Sequence, residues 1–358
     1  MPINKYKVGG LFSGVGGIEL GFEQAGYEIS WANEFDKNAC ITYRTNFPNH
    51  LLIEQDIWEI IDNDFKYKNE ELGEIDILVG GFPCQAFSVA GYRKGFEDPR
   101  GNLFFAIVKF ISHYQPKAIL LENVKNLERH DGGKTFGTIY EELDRLGYSV
   151  IYKVMNTRDY TEIPQTRERI FIIGFKGESD FNNAELFRKH ETPCSASFIF
   201  PEKTKKTKSI KQMLSKVKVD EKYYYTVNTY FWDEIKENMI SRDTVYQWRR
   251  KYIRENKSNL CPTLTANMGM GGHNVPLVID STGGYRKLTP KECFRFQGFN
   301  NIKLPKISDS SLYKQAGNSV TVPLIERLAG RVKIALDSKY SNTIKGKDRA
   351  IKNLTSVS

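Results

Sequence analysis

Gly80-Gly81-Phe82-Pro83-Cys84-Gln85-Ala86-Phe87-Ser88 is the stretch whose reading decides the fold. It follows the apolar run 75–79, which reads as a buried parallel strand. Two glycines end that strand, and Pro83 fixes the backbone just before a cysteine. A loop at the carboxyl end of such a strand is where open α/β sheets bind their ligands. Taken alone, Cys84 reads as a small buried apolar side chain. Its surroundings favour a functional reading. The loop runs on through Gly91-Tyr92-Arg93-Lys94-Gly95-Phe96-Glu97-Asp98-Pro99-Arg100-Gly101-Asn102, long, glycine-rich and charged in the manner of an active-site lid.

Working outward toward the N-terminus, residues 6–12 read as a first strand. Ser13-Gly14-Val15-Gly16-Gly17 turns from it into a helix carrying Ile18, Leu20, Phe22 and Ala25. Such a turn lets a ligand approach helix N-terminal amides, although glycine turns also serve as plain connections. It is not the Gly-x-Gly-x-x-Gly pattern of dinucleotide sites. A second strand, 28–32, ends in Asn33-Glu34-Phe35-Asp36. Glu34 lies about twenty residues beyond the turn, the spacing of a ribose acceptor; the alternative is a solvated or capping carboxylate. Phe35 could cover an adenine face. Asp56, after a short third strand at 51–53, could accept from an adenine amino group or cap the next turn.

Toward the C-terminus, 102–113 carries an apolar stripe at helical spacing, and 117–121 is a further buried strand ending in Glu122-Asn123-Val124. A helix at 135–146 and a strand at 149–155 follow. Gln165-Thr166-Arg167-Glu168-Arg169 leads into the strand 170–174. This alternation predicts an α/β fold with a doubly wound, mostly parallel sheet. Cys84, Glu122, Arg167 and Arg169 then stand at or beside carboxyl ends of strands, and a neighbouring arginine would favour a thiolate.

Beyond about 176 the periodicity fades. A lysine-rich run at 203–208 and the segment Tyr246-Gln247-Trp248-Arg249-Arg250-Lys251-Tyr252 mix cations with aromatics, which suits nucleic acid as well as a plain solvated face. Cys261-Pro262-Thr263-Leu264-Thr265 opens a glycine-rich loop. Order returns at Arg286–Phe299, read as a capped helix. Gln315-Ala316-Gly317-Asn318-Ser319-Val320 reads as a polar turn before a helix over 322–336, and the tail from 338 reads as basic and frayed. The predicted organisation is a first domain at 1–175, an inserted second domain at 176–285, a return to the first domain at 286–337 and a tail at 338–358.

Composition narrows the classes. The 358 residues carry 40% apolar and 27% charged side chains with a net charge of +9, a balance that suits a polyanionic partner. No run approaches a membrane span, and no signal-peptide plan is visible, so a cytoplasmic location is expected. Five dispersed cysteines without a Cys-x-x-Cys pair, and five scattered histidines, argue against a disulfide framework and against a metal site.

Taken together, Phe12-Ser13-Gly14-Val15-Gly16-Gly17, Asn33-Glu34, Asp56-Ile57, Pro83-Cys84-Gln85, Glu122-Asn123-Val124, Gln165-x-Arg167-x-Arg169, the 286–299 segment and Gly317-Asn318-Ser319-Val320 resemble, in order and over nearly the whole chain, a DNA (cytosine-5)-methyltransferase of the bacterial restriction–modification type. The resemblance implies a Rossmann-like, S-adenosylmethionine-dependent methyltransferase fold. S-adenosylmethionine would be lined by Phe12, Ser13, Val15, Gly17, Glu34, Phe35, Asp56, Ile57, Gly81, Pro83, Leu103, Asn318, Ser319 and Val320. Cys84 would attack carbon 6 of a flipped-out cytosine, Glu122 would hold ring nitrogen 3, and Arg167 would bind the base carbonyl, with Arg169 beside it. Gln85, Ser88 and Arg100 in the lid, and Thr263 and Thr265 in the recognition region, would contact double-stranded DNA. No metal is implied. The enzyme would act as a monomer, with a cognate restriction endonuclease in the same system but no stable complex with it. An RNA cytosine methyltransferase is disfavoured because no Cys-Phe-Thr element stands in the recognition region and no second cysteine stands beside Cys84. A non-catalytic relative is disfavoured by the presence of Cys84, Glu122 and Arg167, and an oxidoreductase by the missing dinucleotide pattern.

Overall fold

The computed structural model describes residues 5–83, 103–177, 198–270 and 275–355, with residues 339–355 described by their backbone. At its centre is a seven-stranded sheet: β1 (Lys7–Leu11), β2 (Glu28–Asn33), β3 (Leu52–Ile53), β4 (Ile77–Gly81), β5 (Ala118–Val124), β6 (Tyr148–Asn156) and β7 (Glu168–Lys176). Their spatial order is β3-β2-β1-β4-β5-β7-β6. The pairs from β3 to β5 are parallel, while β7 runs antiparallel to both β5 and β6. The order reverses between β1 and β4, and that switch point opens a crevice beyond the carboxyl ends of the strands.

Strand side chains alternate between two cores. Leu78, Ile119, Leu121, Ile170 and Ile172 face one apolar cluster; Ile77, Val79, Ala118, Leu120, Phe171 and Ile173 face the other. Helices α3 (Ile57–Asp62), α4 (Leu103–Tyr114) and α5 (Lys134–Arg145) supply the first cluster. Helix α1 (Gly17–Gln24) and the last helix, α9 (Val322–Thr355), supply the second. Both faces are therefore covered, as near-continuous apolar strands require. The chain's last helix returns to its first: Tyr27 donates to the carbonyl of Ala329 (2.9 Å), and Ile325 packs where Gly21 has no side chain.

A smaller antiparallel sheet follows, from β8 (Tyr246–Trp248), β9 (Ile253–Glu255), β10 (Leu277–Ile279) and β11 (Tyr285–Lys287), in the order β9-β8-β10-β11. With helix α6 (Trp232–Asn238) it encloses its own small core of Ile235, Met239, Tyr246, Ile253, Leu277 and Ile279. Residues 198–214 lie instead on the large body: Thr204 and Lys208 amides donate to Asp159 and Glu162 carbonyls, and Arg295 donates to Met213.

Three details differ from the sequence reading. The 286–299 segment is a strand end followed by α7 (Pro290–Phe296), whose Thr289–Glu292 capping box sets the start, so the boundary expected at 285/286 falls inside β11. Gln315 to Asn318 are the last turn of α8 (Asp309–Asn318), not a free turn. The backbone of α9 stays helical to Thr355, because extending a helix already docked by its first turns needs no new nucleus. Among the described residues no helix is long and apolar enough to cross a membrane.

Candidate active site

The β1–α1 connection is a tight backbone nest. Phe12, Gly14 and Gly16 all have positive φ (54°, 56° and 83°), and the Gly16 amide closes back on Ser13 O at 2.8 Å. At Gly16 a side chain would also strike the Phe47 ring, so this position requires glycine. Glu34, at the end of β2, holds the nest in place. Its Oε2 accepts from the Gly14 amide (2.8 Å), and its Oε1 accepts from the Phe35 (2.9 Å) and Asp36 (2.8 Å) amides. Burial pushes the Glu34 pKa up against these three donors. Asn33 bridges to the Ile53 and Gln55 carbonyls, which carries the alignment across to β3.

Asp36 caps helix α2 (Lys37–Asn46), with Lys314 Nζ at 3.0 Å, and Asp56 caps α3 through the Trp58 amide at 2.8 Å. The capping alternative for Asp56 is thus realised with one carboxylate oxygen. Phe35 is 67% exposed, unusual for so large an apolar ring.

These strand ends open into a cavity of about 800 Å³. Phe12, Ser13, Val15, Gly17, Glu34, Phe35, Asp56, Ile57, Gly81, Pro83, Leu103, Asn318, Ser319 and Val320 all line it. So do Trp58, Lys314 and Gln315, which the sequence reading passed over; Lys314 and Gln315 sit one helical turn before Asn318 on α8, a spacing that could have marked them.

The other wall of the same cavity is built by β4, β5 and β7. Glu122 lies opposite Gly81 on one side and Phe171 on the other. It is 8% exposed, and Arg169 Nε stands 2.9 Å from its Oε1 as an ion pair rather than an aligned hydrogen bond. The next residue, Asn123, donates to the Phe82 carbonyl (2.9 Å) and so pins the backbone that leads to Pro83. Cys84, Gln85, Ser88 and Arg100 lie outside the described residues.

Arg167 also lines this cavity, and most of its donors are taken by the backbone around it. It is 2% exposed, and its guanidinium donates to three backbone carbonyls: Leu264 (2.9 Å), Gly317 (3.2 Å) and Ser319 (2.5 Å). Burial, with Arg169 nearby, lowers its pKa to about 9, so it remains a cation at neutral pH. Its two terminal nitrogens tie the 261–266 segment to the end of α8 and Ser319, while its Nε has no hydrogen-bond partner among the described residues. At Gly317 a Cβ would lie 2.2 Å from the Thr265 backbone, so that junction too requires glycine. Thr263 is part of the same tie: its hydroxyl donates to the Thr166 carbonyl, while Gln165 and Thr166 pair with Cys261 and Pro262. Thr265 is exposed and lines both the main cavity and a second one of about 670 Å³, which Thr263 also lines.

A family model for C-5 cytosine-specific DNA methylases matches residues 6–334. The chain belongs to the C-5 cytosine-specific DNA methylase family. Among curated relatives, the type II methyltransferase M.Bsp6I of Bacillus sp. (strain RFL6) is 51% identical over 331 residues, covering 91% of this chain and 98% of that protein. The type II methyltransferase M.SsoII of Shigella sonnei is 37% identical over 336 residues, covering 93% and 82%. The fold is shared with a DNMT2 variant from Spodoptera frugiperda (TM-score 0.68, 19% identity, 93% of this chain and 100% of that one) and with the Dnmt2 methyltransferase of S. pombe (TM-score 0.63, 17% identity, 91% and 98%). This methylase is therefore a DNA cytosine-5-methyltransferase of the bacterial restriction–modification type, on a methyltransferase sheet.

Proposed function

We propose that this methylase transfers a methyl group from S-adenosylmethionine to carbon 5 of a cytosine flipped out of duplex DNA, through a covalent adduct with Cys84. The observation that carries this reading is the single cavity whose walls are the Glu34 nest and the Glu122–Arg169 pair.

The nest wall fits the donor. It offers two carboxylates (Glu34, Asp56) suited to ribose or amino hydrogens and the exposed Phe35 ring suited to a purine face. Bound there, S-adenosylmethionine supplies an electrophilic methyl group. Asn318, Ser319 and Val320 would close the cradle from the far side.

The opposite wall fits the base. Carbon 5 of cytosine is a poor nucleophile. Addition of the Cys84 thiolate to carbon 6 pushes electrons toward carbon 5, and charge develops over nitrogen 3 and the carbonyl oxygen. The oxygen is carried by carbon 2, next to nitrogen 3, so the two atoms stand side by side on one edge of the base, as Glu122 and Arg169 stand side by side on this wall. Glu122 would hold a proton at nitrogen 3 and Arg169 would stabilise the carbonyl oxygen, the role first expected of Arg167. After methyl transfer a base, water for example, takes the carbon 5 proton and the thiolate is expelled. Carbon 5 and carbon 6 are inaccessible in stacked duplex, which is why the base must leave the helix. Gln85, Ser88 and Arg100 would close over it from the lid, and the small sheet would serve as the recognition unit. We also assign the enzyme to the cytoplasm as a monomer, beside a cognate endonuclease.

The experiment is bisulfite sequencing of DNA from a methylation-free host expressing the protein or its Cys84→Ala variant. Methylcytosine within one recurring short site, absent in the variant, supports the assignment. Persistent methylation by Cys84→Ala would sink the nucleophile.

A further inference from the structure

The second cavity lies between the β8–β9 hairpin and the loop carrying Thr263 and Thr265. In the hairpin Tyr246 and Ile253 are buried in the core of the small sheet. Alternation therefore sends Gln247 and Arg254, which face each other across the ladder, off the opposite face and into the cavity. Arg249 lies one pleat further along, its Nη2 donating to Gln247 Oε1 at 2.9 Å. Arg254 is exposed and has no ion pair or hydrogen bond with any described residue. Among the described residues no carboxylate lines this cavity, and Arg250 and Lys251 stand exposed at the hairpin tip.

A two-stranded ribbon fits the DNA major groove, which is about 12 Å wide. A free arginine on its face, with no acid to neutralise it, presents a planar fork matched to the O6 and N7 acceptors of guanine. The tip cations are placed for phosphates. Thr265, shared by both cavities, makes this face continuous with the methylation site. We propose that Arg254 reads a guanine in the major groove of the sequence this enzyme methylates, with the Arg249–Gln247 pair beside it. This rests on the DNA-methyltransferase reading above.

Once bisulfite sequencing has defined the site, each guanine in a short duplex is replaced in turn by 7-deazaguanine, which lacks the N7 acceptor. kcat/KM is then measured for wild type, Arg254→Ala and Arg254→Lys. At one position the analogue is expected to lower wild-type kcat/KM by about tenfold. Arg254→Ala should lose a similar factor on the natural duplex and be indifferent to the analogue at that position only. Arg254→Lys, which keeps the charge but not the planar fork, should recover only part of that loss and remain sensitive to the analogue at that same position. If Arg254→Lys restores full activity, and every duplex is weakened alike by Arg254→Ala with unchanged analogue ratios, Arg254 holds a phosphate and the proposal is overturned. An analogue profile identical in wild type and Arg254→Ala overturns it as well. A wild-type enzyme that methylates no DNA cytosine would overturn the underlying reading instead.

Discussion

The two cavities of this methylase are built on opposite plans. In the main cavity each charged group is tied to the frame. Glu34 accepts three amides, Asp56 caps a helix, Glu122 pairs with Arg169, and Arg167 satisfies three carbonyls. In the second cavity Arg158 is held by Asp159, but on the hairpin face Arg254 has no ion pair or hydrogen bond among the described residues, and the Gln247 and Arg249 side chains bond only each other. Chemistry needs groups fixed before the substrate arrives, because only preorganised dipoles stabilise a transition state without reorganising. Reading a sequence needs donors still free for a base edge. A rigid site and a free face can therefore share Thr265 and yet tolerate substitution very differently.

The contrast can be broken most directly at Arg169. Arg169→Ala should lower kcat by about 100- to 1,000-fold, the loss typical of one oxyanion donor, with cognate DNA affinity nearly intact. Equal losses in kcat and DNA affinity, measured by single-turnover kinetics and titration, would place Arg169 among the DNA contacts instead. Arg167→Met should act on the fold first. It leaves three buried carbonyls without donors, and a loss of about 2–4 kcal/mol in denaturant unfolding is expected.

A third test concerns Glu19, a buried carboxyl on α1 whose neighbour Ser13 only partly offsets the cost of its burial. Burial raises its pKa from 4.5 to about 7. A carboxyl held above its unfolded pKa binds more protons in the folded chain, so it withdraws stability as pH rises through that window. Between pH 5 and 7 the withdrawal is roughly 2 kcal/mol, and Glu19→Gln should remove that slope from the melting profile. An unchanged slope would mean that the carboxyl is solvated in solution. The smallest effect belongs to the free face: Arg249→Ala and Arg254→Ala should each change stability by less than about 0.5 kcal/mol. A larger loss would show that this face is as tied as the other.

Local sequence carried much of this. The glycine turn, the Glu34 spacing and the strand before Pro83 were legible because each depends on residues near one another in the chain, where backbone geometry and burial period leave few alternatives. The large sheet was legible for the same reason: runs such as Ala118 to Leu121 and Ile170 to Ile173 have no exposed face to disguise them. The small sheet was not, since three-residue strands give too little alternation to be seen.

The sequence by itself thus determined the α/β class, the family and many, though not all, of the residues around the main cavity. Only the tertiary structure separated the surroundings of Arg167 from those of Arg169. They stand two residues apart with the same side chain, and no local rule separates them. One is enclosed by carbonyls from loops 97 and 150 residues away in the chain, and the other meets Glu122 across the β5–β7 ladder. Which arginine holds the frame follows from those long-range neighbours, because a buried guanidinium directs its donors to whatever acceptors the fold brings to it, and that is why the proposed mechanism assigns the substrate to Arg169.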